Sequence, residues 1–142
     1  MYVQTTTLRR QHGDIRQLQE RLQPMLRSSE LKQDTEEVRA LISRLVGVLS
    51  VHLAMEDEVL YRGLAGNADE PLQGLLASCR EECGHLSEAL IAYQGRWPTP
   101  RSVQEAPEQF ILETGELFSI IDRRLELEET TIFPAIDSMN RS

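Results

Sequence analysis

His52 and Glu56 stand four residues apart in "VHLAMEDEVLY" (residues 51–61), among leucines and valines. On a helix that spacing puts both side chains on one face, one turn apart. An imidazole nitrogen and a carboxylate oxygen so placed can grip one metal ion or two adjacent ones, and the pair suits iron, manganese or zinc. His12, Arg124 and Glu128 interrupt other apolar stripes in the same way, and His85 lies in "REECGHLSEAL". A buried carboxylate with no cation beside it is costly and holds its proton tightly. Such residues therefore ask for a metal or an ion-pair network. A single buried histidine is more often a hydrogen-bonded core residue, but His12, His52, Glu56 and Glu128 together favour a site.

Four amphipathic patterns have to position these residues. The first covers roughly Thr5 to Arg27, with Leu8, His12, Ile15, Leu18, Leu22 and Leu26 on its stripe, and Pro24 is expected to bend or shorten its end. The second covers roughly Asp34 to Leu64, capped at "DTEE", with Val38, Leu41, Leu45, Leu49, His52, Glu56 and Leu60 in line. The third runs from about Asp69 to Tyr93, with Pro71 tolerated in its first turn. "GRWPTPRSVQEAPEQ" then reads as a linker in which Ser102 and Glu105 cap a short turn. The fourth runs from about Glu108 to Thr131, with Phe133-Pro134 ending it. No segment alternates with period two. The expected fold is all-α: one domain over residues 1–142, an antiparallel up-down-up-down four-helix bundle, the class that builds metal and cofactor sites from side chains on facing helices.

Helix register can be compared at about 1.5 Å per residue. A turn centred near residue 31 sets His12 opposite the neighbourhood of His52. A turn centred near residue 67 sets His52 opposite Glu81, Glu82, Cys83 and His85. His85, however, lies roughly 140° round the helix from the centre of its apolar stripe. Either Gly84 marks a local distortion such as a π-bulge, or His85 points to a groove or to solvent. Cys79 and Cys83, the only cysteines, are too far apart at i and i+4 for relaxed disulfide geometry and are read as core packing.

Composition bounds the function classes. The 142 residues are 40% hydrophobic and 27% charged, with a formal net charge of −8. That charge argues against nucleic-acid binding. No run of about 18 apolar residues suggests a membrane span, and no signal-peptide core opens the chain, so a cytoplasmic location is expected.

The pattern resembles the hemerythrin-like family, also called HHE cation-binding domains, over nearly the whole chain. "LRRQHGDI" is similar to the family's first-helix histidine segment at His12. "HLAMEDEVLY" is similar to its H-x-x-x-E segment at His52 and Glu56, the most specific match. "CGHLSEAL" is similar to the third-helix segment at His85, and "RLELEETTIFP" to the closing segment at Glu128 and Glu129. The resemblance implies a four-helix bundle with a non-haem di-iron centre, and with it dioxygen binding, iron or oxygen sensing, or a response to nitric oxide or peroxide. Oxygen-carrying members use five histidines and two bridging carboxylates. This chain has three histidines in all. Arg124 stands at the fourth-helix histidine position and Glu81 at a second third-helix one. A guanidinium is no metal ligand but pairs with carboxylates, so Arg124 is read as a fixed charge in place of a second metal.

The metal-ligand candidates are His12, His52, Glu56, His85, Glu128, Glu129 and Glu81. Glu128 is preferred to Glu129 because it lies on the apolar stripe one turn after Arg124. The first reading is an iron protein with one or two ions, zinc or manganese being alternatives, that binds or senses dioxygen or a related small molecule. The second is a metal-free regulatory or protein-interaction module in which an Arg124–carboxylate network replaces the metal. A weak oxidase or peroxidase with mononuclear iron is third. No nucleophile–base pair or phosphate loop suggests a turnover enzyme, and a protein partner is expected under the second reading.

Overall fold

The computed structural model describes residues 4–64 and 69–141, with the side chains of all of these except 28–30. Every regular element among them is helical. α1 (Thr6–Leu22) stops where expected, because Pro24 can be held only in a tight 3₁₀ turn, Gln23–Met25. A short helix that periodicity does not show, α2 (Ser28–Gln33), fills the connection. α3 (Thr35–Glu56) carries Glu36 and Glu37 in its first turn, although the Asp34 side chain makes no capping bond. The turn expected near residue 67 lies outside the described residues.

α4 (Glu70–Cys83) opens as a capped helix should. The Asp69 carboxylate accepts from the Leu72 backbone N–H at 2.9 Å, and Pro71 sits in the first turn. The expected third helix is in fact two: the chain breaks at Gly84–His85 and resumes as α5 (Leu86–Arg96). A Cβ on Gly84 would lie 2.2 Å from the Arg80 carbonyl oxygen, so this break needs glycine. In the linker, Thr99 rather than Ser102 caps α6 (Pro100–Glu105), and Ser102 answers it as the other half of a capping box. α7 (Pro107–Leu127) follows.

Among the described residues two wide π-helical turns occur, Asp57–Arg62 after α3 and Glu128–Ile132 after α7. The second corrects the expectation that Phe133-Pro134 ends the last helix. The chain continues as α8 (Phe133–Arg141), because the widened turn already relaxes the backbone that Pro134 would otherwise crowd. The local distortion considered at Gly84 is a break rather than a π-bulge; the wide turns fall instead beside Glu56 and Glu128.

The helices meet through specific pairs. Between α1 and α3, Arg21 approaches Glu37 at 3.9 Å and His12 approaches His52 at 3.1 Å. Gln19 on α1 bonds Asp122 on α7 at 3.1 Å. Tyr93 on α5 bonds Thr114 on α7 at 2.8 Å, and Arg96 pairs with Glu113 at 2.6 Å. The stretch Thr35–Arg62 is long and apolar enough to cross a membrane by length and composition alone. Here its stripe from Val38 to Leu60 is buried.

The buried apolar residues form two clusters. One gathers Ile15, Leu22, Leu45, Leu49, Phe110, Leu117 and Ile121. The other gathers Leu8, Leu60, Leu72, Leu76, Phe133 and Ile136. On α1, α3 and α7 the sequence passes from one cluster to the other through a polar residue: His12 between Leu8 and Ile15, Glu56 between Leu53 and Leu60, and Glu128 between Leu125 and Ile132, with His52 and Arg124 one turn before the two glutamates.

Candidate metal centre

That polar layer is the site. α1 supplies His12, α3 supplies His52 and Glu56, and the start of the second π turn supplies Glu128. All four are buried, none more than 1% exposed. One ligand atom from each lies within 4.8 Å of every other. His12 Nε2 is 3.1 Å from His52 Nε2 and 2.9 Å from Glu128 Oε1. His52 Nε2 is 3.3 Å from Glu56 Oε2 and 3.6 Å from Glu128 Oε1.

The ring nitrogens on the outer side are already committed. His12 Nδ1 donates to Glu129 Oε2 at 2.7 Å, and His52 Nδ1 donates to Gln11 Oε1 at 2.6 Å. Each imidazole that donates from Nδ1 turns its Nε2 lone pair inward when neutral. Two such lone pairs then face each other across the centre, an arrangement that a shared cation resolves. Histidine ligands of metals are oriented in this way by a carboxylate or carbonyl on the other nitrogen. Glu129 in turn is held by Arg16, and Gln11 by the Met55 sulfur at 3.3 Å.

Arg124 closes the other side. Its Nη2 donates to Glu56 Oε1 at 3.0 Å, its Nε to Glu128 Oε2 at 3.2 Å, and its Nη1 reaches the Cys83 carbonyl at 3.4 Å. Each glutamate thus spends one oxygen on the guanidinium and turns the other to the imidazoles. Glu56 Oε2 is buried and receives no hydrogen bond, the kind of orphaned oxygen a cation satisfies. Two imidazoles and two carboxylates are a donor set fitted to iron, manganese or zinc.

The charges are strongly coupled. Burial pushes His52 down, but the Glu128 and Glu56 carboxylates facing its Nε2 override it, and its pKa rises to about 9. Burial pushes the Glu56 carboxyl up, assisted by the Glu128 charge and only partly offset by His52. Burial acts on Glu128 the same way, but the histidines, Glu56 and Arg124 together hold it well below the usual carboxylate range. Glu129 is lowered despite partial burial, by Arg16 and His12.

Of the seven ligand candidates, the structure brings together His12, His52, Glu56 and Glu128. Glu129 is half-buried behind His12 and supports it from outside. His85 and Glu81 are exposed and stay apart. His85 already lies roughly 140° from the apolar stripe, and the break at Gly84 does not bring it in: Cys83 and Leu86 are buried and His85 between them faces out. Cys79 and Cys83 are free thiols. Burial pushes Cys79 up to about 11, and the hydrogen bond with Tyr61 offsets only part of that, which keeps it a packing residue. Sequence reasoning missed Gln11 and Arg16. Gln11 adjoins His12, but it meets His52 across 41 positions of chain, so no local spacing announces it.

No curated protein and no solved structure matches the chain. A family model does, the hemerythrin HHE cation binding domain, over residues 3–136. That span takes in the whole buried His–Glu group, and the chain belongs to the hemerythrin HHE cation-binding family.

Proposed function

We propose that the chain is an up-down-up-down four-helix bundle that holds one divalent cation, iron in its working form, at His12, His52, Glu56 and Glu128. It would bind or sense dioxygen or a related small molecule rather than turn over a substrate. The observation that carries this reading is the pair of Nε2 atoms, 3.1 Å apart, with both Nδ1 atoms already committed outward. The bundle topology is supported by the pairs along α1–α3, α1–α7 and α5–α7. Ferrous iron in such a centre supplies an electron-rich site for diatomic ligands. The protein's share is to hold two imidazoles by Gln11 and Glu129, to fix two carboxylates by Arg124, and to exclude bulk water. Arg124 supplies the positive charge that a second ion would bring, so the centre is mononuclear.

The test is metal content and absorption of protein loaded with ferrous iron without oxygen, beside an Arg124→His variant. One ion per chain, lost in His52→Ala, is the expected result. A second ion taken up by Arg124→His assigns the exclusion to Arg124. Protein that retains no iron, manganese or zinc overturns this reading. It would leave the second one, a metal-free interaction module, which draws on a specific observation: Arg124 already bonds both buried carboxylates.

A further inference from the structure

Beside the centre lies an open cleft of about 420 Å³ between α3 and the α4–α5 pair. Arg124 is among its lining residues, and the side chain is itself only 9% exposed. A guanidinium has five N–H bonds. Three are taken, by Glu128, Glu56 and the Cys83 carbonyl, which leaves one on each Nη. The cleft walls are mixed: Leu53, Leu90 and Ile91 give one apolar stretch, and Ser50, Ser87 and Gln94 add polar groups. Arg80 also lines it, stacked on Tyr61 at 4.9 Å and paired with Asp57 at 3.3 Å, so that rim pair is locally balanced.

We propose that this cleft is a binding site for a small carboxylate with a short aliphatic body, its oxygens on the free Nη hydrogens of Arg124 and its body against Leu53, Leu90 and Ile91. A guanidinium recognises planar carboxylates through paired N–H donors. The two glutamates occupy the guanidinium's other donors, and they would repel an anion if nothing offset them. A divalent cation does so: with it, the buried group of Arg124, cation, Glu56 and Glu128 carries net positive charge. Carboxylate and metal binding are therefore mutually favourable, since coupling between two sites is reciprocal. This coupling rests on the metal reading above; the cleft itself does not.

The experiment is amide NMR of the labelled protein, metal-free and zinc-loaded, titrated with sodium butyrate, and with butylammonium chloride at matched ionic strength. Expected are saturable shifts confined to Ser50, Gly84, Ser87 and Ile91, with butyrate but not butylammonium, and tighter binding in the zinc form. Ile91 is 70% exposed, so Ile91→Trp narrows the cleft without disturbing the core. It should weaken butyrate about tenfold or more, about 1.4 kcal/mol, with zinc content unchanged. Shifts that never saturate, an equal response to butylammonium, or an unaffected Ile91→Trp variant overturn the site. Equal affinity in the two forms overturns the coupling. Protein that takes up no zinc overturns the metal reading alone, and the metal-free titration then decides the cleft by the same criteria.

Discussion

Each central glutamate divides its two oxygens between Arg124 and the imidazoles. Removing Arg124 leaves two buried carboxylates without their cation. Arg124→Ala should cost the metal-free protein about 3–5 kcal/mol in urea unfolding. Replacing all three together, by Arg124→Met with Glu56→Leu and Glu128→Leu, should cost little or stabilise, since a buried ion network is often no better than packed hydrocarbon. That variant should bind no metal. His52 adds a pH dependence. The folded protein binds its proton more tightly than the unfolded one, so its stabilisation is full below about pH 6.5 and lost as pH rises through about 9. Metal-free protein should therefore lose about 3 kcal/mol between those limits. Zinc-loaded protein should show almost no slope from His52 over the same range, because the imidazole is deprotonated both in the metal-bound fold and, above about pH 6.5, in the unfolded chain. Thermal melts of both forms from pH 6 to 9.5 check this, and parallel slopes would count against zinc on His52.

At the scale of the element, the two wide turns follow directly on the two carboxylate-bearing stretches, Asp57–Arg62 after Glu56 and Glu128–Ile132 from Glu128 itself. Each adds backbone that resets which side chains of the following turn face inward. Inserting one alanine after the exposed Thr130 should rotate Ile132, Phe133 and Ile136 by about 100° relative to Glu128. The variant should lose zinc stoichiometry and melt at lower temperature. Unchanged zinc and melting would show the register set by the wide turn to be dispensable. The α4–α5 break makes a parallel prediction. A methyl on Gly84 meets the Arg80 carbonyl at 2.2 Å, so Gly84→Ala should cost about 1–3 kcal/mol of overpacking strain, read from the denaturant midpoint.

Across the whole molecule, the polar layer cuts the buried core into two clusters. Helices α1, α3 and α7 cross that layer, and a cation there would tie them together at one level. Zinc at about a hundred times its dissociation constant should stabilise the fold by about 2.7 kcal/mol, and a chelator should reverse it. Hydrogen exchange should localise the gain. In the metal-free form, the amides of the cluster with Leu60, Leu72 and Ile136 should open at lower free energy than those around Leu45 and Phe110. Uniform protection in both forms would show that the layer does not separate the core.

The helices and the four residues of the central group were legible in the amino-acid order. A 3.6-residue period places residues on a face whatever packs against it, and His12, His52, Glu56 and Glu128 stood out as polar residues on apolar stripes. Arg124 was legible as a charge for the same reason. Decided by tertiary structure were the matters that depend on contacts distant in sequence. Glu129 orients His12 across 117 positions, and Arg16 holds Glu129 across 113. The break of the third helix follows from the close approach at Gly84, and the passage of helix through Pro134 from the wide turn before it. Periodicity reports the direction in which a side chain leaves its own helix. It does not report which atom of another helix stands there, nor where the backbone adds a residue to a turn.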